Sequence, residues 1–176
     1  PFPPQSQLSG YEKKVKGCFT YEKKFVMSDA LNGERILLHF DAVDQIAEVT
    51  LNGKTLGSHE GGYLRFTFDV TDCIKRVGEN ILHVKVTDKL DLDYPYGKQC
   101  KKRGGMWYTP VSGIWQSVWL EAVPEKPIER LKIIPDLTGI TLTVECELPE
   151  CDVEIPGLLK KTIAARRPVR IDIADP

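Results

Sequence analysis

Apolar and polar residues alternate at every second position through most of this chain. Leu64, Phe66, Phe68 and Val70 alternate with Arg65, Thr67, Asp69 and Thr71, and Leu82, Val84 and Val86 alternate with His83, Lys85 and Thr87. A period of two marks strands with one face buried. Over 114–121 the same rhythm puts Ile114, Gln116, Val118 and Leu120 on one face and Trp115, Ser117, Trp119 and Glu121 on the other. It predicts one strand with both tryptophans on the same side. Segments 35–40 and 46–51 also read as strands. No long stretch repeats apolar residues at i, i+3, i+4 and i+7, which argues against a sheet with crossover helices.

Turn residues separate the strands. Asn52-Gly53 lies between Val49-Thr50-Leu51 and Lys54-Thr55-Leu56, and Asn-Gly supplies the two positive φ angles of a type I′ hairpin turn. Asn32-Gly33, Gly61-Gly62 and Gly78-Glu79-Asn80 are further turn signals. Segment 71–75 reads as a short helical turn capped by Thr71 or Asp72. Short strands at roughly 8–12-residue spacing predict an antiparallel sandwich.

Two segments break the rhythm. Segment 92–109 holds Pro95, three glycines, the cations Lys98, Lys101, Lys102 and Arg103, and several aromatics. A loop of this length in a compact domain is commonly functional. Pro124 and Pro127 bracket Glu125-Lys126 as a short stiff linker, which sets the expected domains at 1–123 and 128–176. Beyond the linker, strand-like runs cover 131–134, 140–146, 152–155, 160–164 and 169–173. Residues 128–176 are few for a sandwich of about 100 residues, so the second domain is expected to be incomplete, with an unpaired sheet edge.

Composition narrows the field. The 176 residues carry 24 Lys and Arg against 25 Asp and Glu, a net charge of −1, so no overall field draws the chain to nucleic acid or membrane. No apolar run approaches the roughly 20 residues of a membrane helix. Pro1-Phe2-Pro3-Pro4 shows no basic-then-apolar leader. A cytoplasmic location is the expectation; export stays open because the chain does not begin with Met. The five cysteines, Cys18, Cys73, Cys100, Cys146 and Cys151, form no CxxC pair, which argues against zinc. Reduced thiols are the expectation, and a Cys146–Cys151 bridge is conceivable without being required.

Four stretches resemble one family. Segment 49–57 (VTLNGKTLG) is similar to the "V.LNG..LG" hairpin of family 2 glycoside hydrolases, and 61–71 to their "GGY..F..D.T" stretch. Segment 78–86 is similar to "GEN.L.V.V" and 112–121 to "SGIWQ.VWLE". All four occur in the family's order, across 35–122. The resemblance implies an all-β fold: a jelly-roll β-sandwich, galactose-binding-domain-like, followed by the first part of an immunoglobulin-like β-sandwich. It implies the non-catalytic front end of a β-galactosidase or β-glucuronidase type enzyme. Its two catalytic carboxylates, about 5–5.5 Å apart in a retaining mechanism, belong to a TIM barrel of about 250 residues in the same full-length chain. The implied partners are that barrel, a β-glycoside substrate and further copies of the parent. No cofactor, metal, nucleic acid or membrane is implied.

The candidate site lies in the 92–109 loop, which in the family reaches toward the catalytic pocket. Relatives place an Asp before an aromatic pair there, to contact sugar or metal; Gly105 stands in that place here, before Met106-Trp107. Galactose or glucuronate specificity is therefore left open. Arg103, Trp107 and Tyr108 are the substrate-binding candidates: the cation for an anionic sugar, the rings for stacking on a sugar face or for packing beneath the loop. The cations alternatively face solvent or dock on the barrel. No catalytic residue is assigned. His39, His59 and His83 have no metal or triad spacing and read as structural. The competing readings are a free-standing carbohydrate-binding module and a protein-interaction domain.

Overall fold

In a computed structural model, residues 2–11, 15, 17–89, 93–95, 97–100 and 104–173 are described. They fold as strands and turns with a single 3-10 turn at Gln7–Ser9. The chain divides into two compact units, 1–122 and 123–176.

The first unit contains β1 (Gly17–Val26), β2 (Arg35–Phe40), β3 (Val43–Asp44), β4 (Ile46–Leu51), β5 (Lys54–Glu60), β6 (Phe66–Asp69), β7 (Glu79–Asp88), β8 (Gly113–Ile114) and β9 (Val118–Val123). Four strands pair in the order β1-β7-β4-β5, three in the order β6-β2-β9, and β3 pairs with β8. This is a jelly-roll β-sandwich, and the all-β expectation holds. Its core is the inward face of the alternation: Ile36, Leu38 and Phe40 of β2 meet Ala47, Val49 and Leu51 of β4 and Leu82, Val84 and Val86 of β7. Phe40 stacks on Phe66 at 4.8 Å between centroids.

Two of the family-like motifs are held together by one buried tie. Asn52 and Gly53 take φ of 51° and 83°, as the hairpin requires. The Asn52 side chain donates from Nδ2 to Cys73 O and Asn80 Oδ1, each at 2.8 Å, and accepts from Ile81 N at 2.9 Å. Asn80 is fully buried and holds Lys75 through both its N–H and its C=O. Buried amides must be hydrogen-bonded to be tolerated, so the Asn of the hairpin and the Asn of the Gly-Glu-Asn turn require each other.

Three local readings change. The 114–121 strand is broken: β8 ends at Ile114 and β9 begins at Val118. The break sends the tryptophans to different neighbourhoods. Trp115 donates from Nε1 to Gly62 O at 2.9 Å, whereas Trp119 stacks on His39 at 4.0 Å. Segment 71–75 is a single turn closed by Cys73 and Ile74 N–H on Val70 O, and its cap is Asp69, which accepts from Thr71 N at 3.0 Å. β1, which the alternation did not single out, is a ten-residue edge strand paired along its whole length with β7.

The second unit contains β10 (Ile128–Asp136), β11 (Gly139–Cys146), β12 (Glu150–Ile155), β13 (Leu159–Ala164) and β14 (Val169–Asp172). The order β10-β11-β14 makes one sheet and the hairpin β12-β13 another. Leu142, Val144, Cys146, Ile163, Ala165 and Ile171 are buried between them. Every residue of β10 is exposed.

Candidate functional site

The long loop springs from the end of the first unit where β3 meets β8, with Asp44 opposite Gly113. Asp44 is a buried carboxyl, 4% exposed. Gly62 lies directly on it: a Cβ at Gly62 would stand 2.6 Å from Asp44 Oδ1. Glycine is required there because the backbone passes over the carboxyl without room for a side chain. Gly61 N donates to Gln45 O at 2.9 Å, and the Trp115 bond to Gly62 O secures the other side of the turn. Tyr63 meets Trp115 edge to face at 6.1 Å. The Gly-Gly-Tyr and Gly-Ile-Trp motifs are thus two halves of one rim.

Electrostatics make Asp44 unusual. Burial, and then the negative charge of buried Asp88, push its pKa up to about 7. The protonated form is therefore favoured far more than in an ordinary carboxyl, and in that form it donates a hydrogen bond as well as accepting one. Burial, then Asp44, also raises the Tyr63 phenol. Sequence reasoning passed Asp44 by. The only signal was a polar pair, Asp44-Gln45, inside the otherwise apolar run Ala42-Val43-Asp44-Gln45-Ile46-Ala47.

The loop is pinned at several points. Tyr94 donates to Glu60 Oε1 at 2.7 Å, Val111 N donates to Gln99 Oε1 at 2.6 Å, and Ser112 N donates to Gln5 Oε1 at 3.2 Å. Gln99 and Tyr108 form an isolated parallel bridge in which Tyr108 N donates to Lys98 O at 2.9 Å. A Cβ at Gly97 would lie 3.9 Å from the Tyr63 hydroxyl, so this stretch runs past the rim. Trp107 and Tyr108 project from the bridge, 48% and 65% exposed, with Met106 exposed beside them. They are not packed beneath the loop. Arg103 lies outside the described residues, as do Lys101 and Lys102.

A second polar cluster covers the outer face of the three-stranded sheet. His39 holds Thr67 Oγ1 through Nδ1 at 2.8 Å and Glu121 Oε2 through Nε2 at 3.0 Å while stacking on Trp119. Arg65 lies over the Trp119 ring and pairs with Asp41 at 2.9 Å. His83 pairs with Glu22, and His59 stacks on Phe66. Each histidine has a structural neighbour in a strand. An apolar cleft of about 650 Å³ lies between the sheets, lined by residues such as Tyr21, Phe25, Leu38, Leu82 and Val118. It contains neither Asp44 nor the Trp107–Tyr108 pair. Among the described residues no group of three or more His, Cys, Asp or Glu is placed to hold a metal, and no helix is long and apolar enough to cross a membrane.

The rim thus brings a buried carboxyl and two exposed rings to one end of a jelly roll. Comparison with known proteins gives the family. Residues 7–113 match the glycosyl hydrolase 2 galactose-binding domain-like family, and the chain belongs to it. A β-galactosidase of Thermoanaerobacter pseudethanolicus is 31% identical over 117 residues, 66% of this chain and 15% of that protein. A β-glucuronidase of Bacteroides fragilis is 36% identical over 89 residues, 51% of this chain and 13% of its own length. In structure, a Lactobacillus rhamnosus β-glucuronidase superposes with a TM-score of 0.69 at 26% identity, over 90% of this chain and 29% of that one. A Bifidobacterium dentium β-glucuronidase shares the fold at a TM-score of 0.70 and 24% identity. The chain therefore spans about a seventh of the curated relatives' length and about a third of the solved chains.

Proposed function

We propose that this chain is the non-catalytic front part of a β-galactosidase- or β-glucuronidase-type enzyme, and that its loop rim shapes one wall of the substrate pocket. The observation that carries the reading is the exposed Trp107–Tyr108 pair on a loop pinned at Gln99 and Tyr94. Rigid exposed rings are suited to the apolar face of a sugar, and their large area is gained at low entropic cost. Asp44 supports the reading from beneath. Its buried carboxyl lies under Gly62 where β3 meets β8 and so fixes the frame from which the loop springs. Arg103 adds a cation for a uronic acid. The two carboxylates of a retaining mechanism come from a TIM barrel elsewhere in the parent, which acts in the cytoplasm as a homo-oligomer.

The test uses the parent enzyme and this chain side by side with nitrophenyl β-galactoside and β-glucuronide. The chain alone is expected to be inactive. In the parent, Trp107→Ala and Tyr108→Ala are expected to raise KM roughly tenfold, the loss of one base-like stacking contact of about 1–2 kcal/mol. Hydrolysis by the isolated chain overturns the reading, as does unchanged KM in both variants. Saturable binding of free mono- or oligosaccharides to the isolated chain, with NMR shifts in the loop, would favour an autonomous carbohydrate-binding module instead.

A further inference from the structure

Two of the five cysteines pack into one cluster in the second unit. Cys146 is the last residue of β11 and Cys151, five residues further on, is the second residue of β12. Cys146 is 5% exposed and belongs to the buried cluster; Cys151 is half-buried and packs against that cluster. The neighbouring Cys146 thiol is among the groups that raise the Cys151 pKa, after burial. Cys146 Sγ also donates to Leu148 O at 3.6 Å, and Cys151 Sγ lies 3.9 Å from Ile163 O. Both sulfurs are free, and Cys18, Cys73 and Cys100 lie in the first unit. Two cysteines near neighbouring strand ends that pack into one buried cluster need only bring their sulfurs together to form a disulfide.

We propose that Cys146 and Cys151 are a redox-modification site: a low-molecular-weight disulfide such as oxidised glutathione converts them to an intrachain disulfide that clasps the β10-β11-β14 sheet to the β12-β13 hairpin. Cys151, the more exposed, reacts first. Its thiolate attacks one glutathione sulfur, forming a mixed disulfide and releasing one glutathione thiolate. The Cys146 thiolate then attacks Cys151 Sγ and releases the second glutathione. One oxidised glutathione is reduced to two glutathiones, the two protein thiols are oxidised to one disulfide, and their protons pass to the two departing thiolates. The thiolate is the reactive form, and burial first, then the neighbouring Cys146 and Asp152, raise the Cys151 pKa. Exchange is therefore slow at neutral pH and accelerates in alkali. This site is independent of the sugar-binding reading, since none of its residues belongs to the rim.

The test treats the complete 176-residue chain with oxidised glutathione at pH 8.5 and maps it by mass spectrometry. Residues 133–160 form one tryptic peptide holding both cysteines, since no Lys or Arg lies between Lys132 and Lys160. The expected result is that this peptide loses two hydrogens, carries no glutathione and takes no alkylating label, while exposed Cys18 is glutathionylated in the same sample. Cys146→Ser is expected to trap a stable mixed disulfide at Cys151. Oxidation is expected to raise the unfolding midpoint of the second unit by about 5 °C, a rise absent in Cys146→Ser. Two alkylatable thiols in the 133–160 peptide, a lasting glutathione on wild-type Cys151, cross-links only between chains, or closure only in denaturant would each overturn the proposal.

Discussion

The two units follow the same strand periodicity and bury it to different depths. The first wraps Phe40, Ile36, Leu51, Val43 and Val49 between facing sheets until nothing of them is exposed. The second buries six small or aliphatic residues and leaves Leu131, Ile133 and Ile134 of β10 in solvent. Every Phe, Tyr and Trp of the chain lies at or before Trp119, so the second unit has no aromatic ring to fill its interior. Its surface ties are ionic: Arg170 of β14 pairs with Asp136 at the end of β10 and with Asp172, and also donates to Thr138. Those hydrogen bonds from Arg170 and Thr138 hold the Asp136 carboxyl well below the usual range, but exposed pairs of this kind add little stability. Alternation therefore places strands, and volume decides how firmly they hold.

The most direct way to break this comparison is one deletion made in both units. Leu51→Ala in β4 is expected to cost about 4–5 kcal/mol, because its rigid surroundings cannot close over the cavity. Leu142→Ala in β11 is expected to cost about 2–3 kcal/mol, because the thinner unit relaxes. Tryptophan fluorescence follows the first unit alone, so hydrogen exchange should be read for the second. Equal costs would show that the second unit is as tightly packed as the first.

Asp44 sharpens the comparison at the rim. Its folded pKa is raised to about 7 against about 3.9 in the unfolded chain. The fold therefore favours the protonated form, and the associated stability is complete below about pH 4 and is lost as pH rises through about 7. Asp44→Asn keeps the shape without the charge. It is expected to leave stability near pH 4 almost unchanged and to raise it at pH 8 by up to roughly 4 kcal/mol, with Asp88 sharing part of the effect. Urea unfolding at the two pH values checks this, and a variant whose pH profile parallels that of the original chain would refute it.

The smallest effect is expected at β10. Ile133→Thr removes an exposed apolar side chain and should change stability by no more than about 0.5 kcal/mol. Because exposed apolar edge strands promote association, it should lower any self-association seen by sedimentation. A loss of stability above 1 kcal/mol would mean that β10 is packed after all.

The strands were legible because a period of two survives in one dimension: β4 and β7 follow it residue by residue. The Asn52-Gly53 turn was legible because its φ angles are local. β1 was missed because it is an edge strand whose run of Glu22, Lys23 and Lys24 dilutes the alternation. The 114–121 strand was drawn too long because alternation continues across a break at which Trp115 bonds to Gly62 and Ser117 to Asp41. Of the site candidates, Trp107 and Tyr108 were legible as aromatics in a long loop. Asp44 was not, since its character comes from Gly62, Asp88 and burial.

By itself, then, the order of residues determined an all-β chain, its hairpin, its four family motifs and the absence of a readable catalytic constellation, because periodicity and turn chemistry act between near neighbours. Only the tertiary structure decided that Asn52 and Asn80 share one buried network, that Asp44 lies buried under Gly62, and that Cys146 and Cys151 pack into one cluster. Those properties depend on which distant segments exclude water from one another, and desolvation is written into no single segment.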